Sequence, residues 1–216
     1  MDSLLMFLIR FNSFHNKHWV LFFSLWAALG AGLAHPVIWK GGQSASMLIQ
    51  TDQRHAMYHY SVSHRRSVGV HTIQFNTETP YVMAQQNWLL KRWNAPGSQG
   101  NTYLRTGLGG SSTDSIGHIG LQADWETTQL YTLVKADYFS LDTSLTRLET
   151  RVGFAPYEGS FDSLHTWFIV SITDTIQQSN HRVIIMPLFR FFYRNYLVEW
   201  GYNFNNHALA QVMIHF

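Results

Sequence analysis

The sequence predicts an all-β chain that closes as an antiparallel transmembrane β-barrel of about 12 strands, with about 10 or 8 as the alternatives, preceded by an export signal. Three observations predict it. From residue 44 onward, short runs that alternate apolar and polar residues recur, and no segment of helical period lies between them. Charged residues make up only 13% of the chain and aromatics 15%, whereas soluble domains carry about 25% charged residues. Finally, His207 to Phe216 place Ala208, Ala210, Val212, Ile214 and Phe216 on one parity, and His207, Leu209, Gln211, Met213 and His215 on the other. Successive strand side chains point to opposite faces, so this segment has one oily face and one that tolerates water.

Residues 1–34 read as a cleaved secretory signal peptide. Arg10, Lys17 and His18 precede the apolar run Trp19 to Leu33, which ends at the small-x-small site Gly32-Leu33-Ala34. The run is shorter than the roughly 20 residues a helical span requires, and no stop-transfer charges follow it. An uncleaved anchor is the alternative. Cleavage after Ala34 leaves residues 35–216 as one barrel domain whose first residue, His35, carries a free amine.

Twelve alternating runs follow, near 44–51, 55–64, 67–76, 81–93, 101–110, 116–126, 129–139, 145–155, 163–173, 182–193, 196–204 and 207–216. Turn chemistry separates several of them: Asn94 to Ser98, Gly109 to Ser112, Pro156 to Gly159 and Asn205-Asn206 are residues that make tight reversals easy. In 116–126, Ile119, Leu121, Ala123 and Trp125 oppose His118, Gln122, Asp124 and Glu126. In 145–155, Leu148, Val152 and Phe154 oppose Arg147, Glu149 and Arg151, and in 196–204 Tyr196, Val198, Trp200, Tyr202 and Phe204 oppose Glu199 and Asn203. A soluble periplasmic sandwich would show the same alternation with its oily faces inward. Aromatics near the ends of apolar faces, at Trp88, Trp125, Tyr138, Tyr196 and Trp200, favour the membrane barrel, where they form interfacial girdles. Segment 182–193 is apolar on both parities, and Pro187 within it predicts a bulge or a locally opened pair.

The inward parity carries charges of mixed sign: Arg105, Asp124, Glu126, Lys135, Asp137, Arg147, Glu149, Arg151, Arg190 and Glu199. A buried charge needs a partner, so a network across the lumen is expected, with a narrow solute path as the second role. The net charge of +2 is small and the basic residues are scattered, which disfavours nucleic acid. Zero cysteines exclude a disulfide framework, a thiolate metal site and a cysteine nucleophile.

Histidine is the other notable residue. His55 and His59 share a strand face, and His207 and His215 share one on the last strand, which meets the first in a closed barrel. With thioethers such as Met57 and Met213, and with the amine and imidazole of His35, these side chains could hold copper or another divalent metal. No organic cofactor is expected.

The alternation ending at Val212, Ile214 and Phe216 resembles the closing strand of Gram-negative outer-membrane β-barrels. That resemblance implies outer-membrane lipid and the barrel-assembly machinery as partners. Tyr58-His59-Tyr60-Ser61 resembles part of the motif of outer-membrane lipid A deacylases, in which a histidine activates a serine; here Val62 follows Ser61 and the nearest glutamate is Glu78. His35-Pro36, Gly41-Gly42, Leu89 to Asn94, Ala155 to Tyr157, Leu164 to Trp167 and Pro187 to Phe192 are similar to stretches of small proteobacterial exported barrel proteins. That likeness implies the barrel and no activity. The functional expectation is a non-enzymatic outer-membrane barrel serving envelope structure or the passage or binding of a small solute. A metal-handling barrel, a lipid-modifying hydrolase and the periplasmic sandwich are the alternatives.

Overall fold

The computed structural model describes residues 35–76, 79–159, 162–178 and 180–216, so the signal-peptide reading of 1–34 lies outside the described residues. Twelve strands form in chain order: β1 (Gln43–Gln50), β2 (Gln53–Ser63), β3 (Arg66–Phe75), β4 (Tyr81–Ala95), β5 (Ser98–Gly110), β6 (Ser115–Thr127), β7 (Leu130–Ser140), β8 (Leu145–Phe154), β9 (His165–Gln177), β10 (Asn180–Tyr193), β11 (Tyr196–Tyr202) and β12 (Ala208–His215). Each pairs antiparallel with its sequence neighbour, and β1 pairs with β12, so one sheet closes on itself. A two-sheet soluble sandwich is thereby overturned. A closed barrel satisfies every ladder without leaving an edge, which is what a chain surrounded by lipid requires.

The period-2 pattern sets the faces. Val134, Val152, Ile172, Val183 and Ile185 are exposed on the outer surface, and on either side of Val152 and Ile172 the neighbours Arg151, Gly153, Ser171 and Thr173 are buried. The outward aromatics Trp125 and Tyr196 lie toward the end that holds both termini, and Tyr138 and Tyr202 toward the other, as girdles do. The lumen is filled rather than wide: Ile73, Tyr81, Met83, Ile116, Phe139 and Leu145 form one internal apolar cluster, and Val37, Leu89 and Tyr103 a second.

Closure is made by seven residue pairs between β1 and β12, from Ser44 with His215 to Gln50 with Leu209. The seam continues past them, because the Gln43 N–H donates to the Phe216 carbonyl at 2.7 Å and the Phe216 N–H returns the bond at 2.9 Å. Val212 and Phe216 point outward.

Of the two outcomes expected at Pro187, the bulge does not form, and the ladder is open there on the β11 side. β9 and β10 stay in register from Asn180 with Gln177 to Phe192 with His165, through Pro187 opposite Val170. Pairing with β11 begins only at Leu188, so the missing donor falls where that ladder ends, and the Asn203 amide caps the Ile185 carbonyl there at 3.1 Å. Register shifts occur instead between Ser61 and Ser63 in β2 and between Leu89 and Lys91 in β4. Gly109 and Gly110 belong to β5, and the reversal they were expected to make falls on Ser111 to Asp114. The β4–β5 reversal does turn at Pro96-Gly97, where Gly97 holds φ of 72°.

Candidate functional site

The terminal end of the barrel is closed from inside by the first described residues. Val37 is wholly buried, packed in the lumen against Leu89 and Tyr103. The segment is held by polar contacts on three strands: Ile38 N–H donates to Ser61 Oγ at 3.1 Å, Ser67 Oγ donates to the Pro36 carbonyl at 2.6 Å, and the Tyr103 hydroxyl meets His35 Nδ1 at 2.9 Å. Asn87 in turn donates to Ser67 Oγ at 3.0 Å. Burial, with the nearby Arg92 cation adding, pushes the His35 imidazole down to about 3, so it is neutral where it docks.

Within the same half of the lumen lies an ionic network. Glu199 takes Arg190 Nε at 2.6 Å and Arg151 Nη1 at 2.9 Å, and Arg151 Nε also bonds Glu149 at 2.7 Å. The Arg190 guanidinium lies 4.3 Å from the centre of the Tyr131 ring. The charges are buried, and each has an opposite partner, as burial demands.

The middle of the lumen holds a pocket of about 100 Å³. Asp137 organises one wall: its Oδ1 accepts from Arg105 at 2.6 Å and from His118 Nε2 at 2.8 Å, and Lys135 lies 3.4 Å from Oδ2. Gly120 makes this crowding feasible, because a Cβ there would meet the Asp137 carboxylate and lie 2.9 Å from the Arg105 guanidinium.

Across the pocket a chain of hydrogen bonds fixes proton positions. Arg147 can only donate, and its Nη2 donates to Gln50 Oε1 at 2.8 Å. The same oxygen therefore accepts from Gln53 Nε2 at 2.6 Å, which turns Gln53 Oε1 toward His55 Nε2 at 3.0 Å. His55 Nε2 must then carry the proton, so its Nδ1 accepts from His71 Nε2 at 2.9 Å. With the imidazoles neutral, His71 Nδ1 is left as a bare lone pair. Asp137 imposes the same tautomer on His118, whose Nδ1 is likewise bare.

Toward the end opposite the termini, Gln53 and Arg147 also line a vestibule of about 290 Å³, with Asp52, Phe75, Asn76, Leu145, Gln177 and Arg182 among its other walls. The lumen is thus a cup: a polar vestibule, a charged pocket beneath it, and a floor of ion pairs and the docked N-terminal segment.

All ten charges expected on the inner parity face inward, but not all of them form ion pairs. Asp124 instead takes the amides of Asn101 at 2.8 Å and Gln122 at 3.2 Å. Glu126 is buried with one oxygen unbonded, and Arg147 has no carboxylate within ion-pair distance among the described residues. The five histidines singled out as metal ligands are spread along the lumen. His55 lines the central pocket, His35 the floor, and His207 the turn at the far end. His59 and His215 share a level, both opposite Ser44. Among the described residues, no group of three or more His, Asp or Glu stands where it could hold a metal. Ser61 is buried in the inner wall beneath the docked segment, where Ile38 occupies its oxygen. A hydroxyl so placed does not face a lipid ester outside the barrel.

Among the pocket residues, His71, Gln50 and Gln53 were missed by sequence reasoning, as was Gly120 behind the Asp137 wall. The parity of β3 puts His71 on the inner face; its bond to His55 depends on the two-residue reversal that sets the β2–β3 register.

No protein-family model matches the chain, and no characterised protein sequence matches it. Solved structures are similar in fold. The KdgM porin, and the KdgM porin in complex with disordered oligogalacturonate, each align over 81% of this chain and 98% of theirs, with a TM-score of 0.53 at 10% identity. By its fold, then, this chain is a closed, twelve-stranded antiparallel transmembrane barrel, similar in architecture to the KdgM porin.

Proposed function

We propose that the protein is a non-enzymatic barrel of the Gram-negative outer membrane that admits a small polar solute to its lumen and passes it when the N-terminal segment is displaced. The observation that carries this reading is the cup itself. A vestibule and a pocket adjoin through Gln53 and Arg147, and the far side is stopped by His35 to Ile38, a few residues held by three side-chain contacts. The outward apolar band and the closing strand ending at Phe216 support the location and assembly by the barrel machinery. The likeness to a porin solved with oligogalacturonate supports passage over catalysis.

The test is solute flux into liposomes that contain the purified protein, compared with a variant lacking residues 35–38. Slow flux of a monosaccharide in the full protein and several-fold faster flux in the shortened one is the expected result. Equal, negligible flux in both, with the protein folded as judged by faster migration of the unheated sample on a gel, would overturn passage. Fractionation with the soluble periplasm would overturn the location.

A further inference from the structure

The central pocket carries chemistry that packing alone does not explain. Four cations line it, Arg105, Lys135, Arg147 and Arg151, against two carboxylates, Asp137 and Glu149. Adding the partners just outside, Glu199 and Arg190, leaves the same excess of two positive charges. Four buried polar atoms on pocket residues lack any hydrogen-bond partner: Arg105 Nε, Arg147 Nε, His71 Nδ1 and His118 Nδ1. Buried polar atoms are nearly always bonded, so four orphans on residues lining one cavity point to something that binds there.

The orphans are of two kinds. The guanidinium nitrogens are N–H donors under an uncompensated positive field, which suits an oxyanion. The two imidazole nitrogens are lone pairs, because Arg147 and Asp137 fix their tautomers, and a lone pair asks for an O–H. A divalent cation would satisfy the imidazoles but would face Arg105, Lys135 and Arg147. A plain carboxylate would satisfy the arginines and leave the imidazoles bare.

We propose that this pocket is a binding site for a small oxyanion that also bears a hydroxyl, such as hydrogen phosphate or a short 2-hydroxycarboxylate. The anionic oxygens would lie toward Arg147 and Arg105, and the O–H would donate to His71 or His118. About 100 Å³ fits a group of that size, with any larger body left in the vestibule. This deepens the solute reading, on which it rests.

Calorimetric titration of the folded full chain in detergent tests it, with four probes: inorganic phosphate, lactate, propionate and glycerol. Phosphate, lactate or both should bind at least tenfold more tightly than propionate, which lacks the hydroxyl, and glycerol should give no heat. Binding of only one of the first two identifies the source of the oxyanion. Arg147→Gln should weaken that binding tenfold or more while keeping the gel shift of the folded barrel, since Arg147 is in no ion pair. The proposal is overturned if propionate matches lactate and phosphate, if none of the anions binds, or if Arg147→Gln binds as the parent does. Because binding is read without flux, its failure leaves passage standing. A barrel that binds phosphate but conducts nothing fails only the passage reading.

Discussion

The hydroxyl of Tyr103 in β5 lies 2.9 Å from Nδ1 of His35, joining the barrel wall to the segment that stops its floor. The bond is buried, and Tyr103 also receives Arg92 Nη2 at 3.5 Å, so the wall residue is positioned independently of its N-terminal partner. Tyr103→Phe removes the bond to His35, together with the long one from Arg92, and leaves the ring packed against Val37. A net hydrogen bond is worth about 1 kcal/mol, so the undocked fraction should rise about fivefold. Planar-bilayer recordings should show openings more frequent by that factor, with unchanged conductance per opening.

Docking should also weaken in acid. The His35 imidazole falls from 6.5 when solvated to about 3 when docked. A depressed value means that the stabilisation is complete above pH 6.5 and is lost as the pH falls from 6.5 toward 3. Each pH unit in that window shifts the balance toward release by about 1.4 kcal/mol, or about tenfold. Open probability should therefore climb between pH 6.5 and pH 5, and His35→Gln should flatten the climb. An equally steep climb in the variant would assign the effect to other groups.

Glu199→Gln should destabilise the barrel strongly. The carboxylate is 1% exposed and holds two guanidiniums, Arg190 and Arg151, of which Glu149 can compensate only one. Removing one member of a buried ion pair costs about 3–5 kcal/mol. In urea titrations followed by gel migration, the folded form should be lost at markedly lower denaturant than in the parent.

Gly120→Ala sets a methyl group against the Asp137 carboxylate, Arg105 and His118. Over-packing of this kind costs about 1–3 kcal/mol. The substitution should also weaken whatever the central pocket binds, whereas alanine at the outward-facing Gly117 should leave both stability and binding near the parent's. Equal effects at the two glycines would mean that the pocket wall yields freely.

The strands were legible because a barrel wall separates lipid from a polar interior across a single layer, so alternation is enforced along nearly every strand. Leu121, Ala123 and Trp125 against Gln122, Asp124 and Glu126 show this directly. What is invisible at that level is register. Whether Arg147 reaches Gln50, 97 positions away, depends on which residues stand level around the closed sheet. Pro187 left a bulge and an opened pair equally open for the same reason: its missing donor matters only where a neighbouring strand pairs with it, and the β10–β11 ladder stops at Leu188. Val37 was silent because a single apolar residue in an irregular segment has no period, although it is among the most buried in the protein.

The seam between Gln43 and Phe216 has a consequence for the order of folding. Every other strand pair joins sequence neighbours, while this one joins strands separated by the remainder of the barrel. The entropy of closing a loop grows with its length, so the ten intervening strands must first curl into an ordered sheet that brings the two edges face to face. Until then, β1 and β12 are two open edges with unpaired backbone groups. The seam should therefore be the last ladder to form.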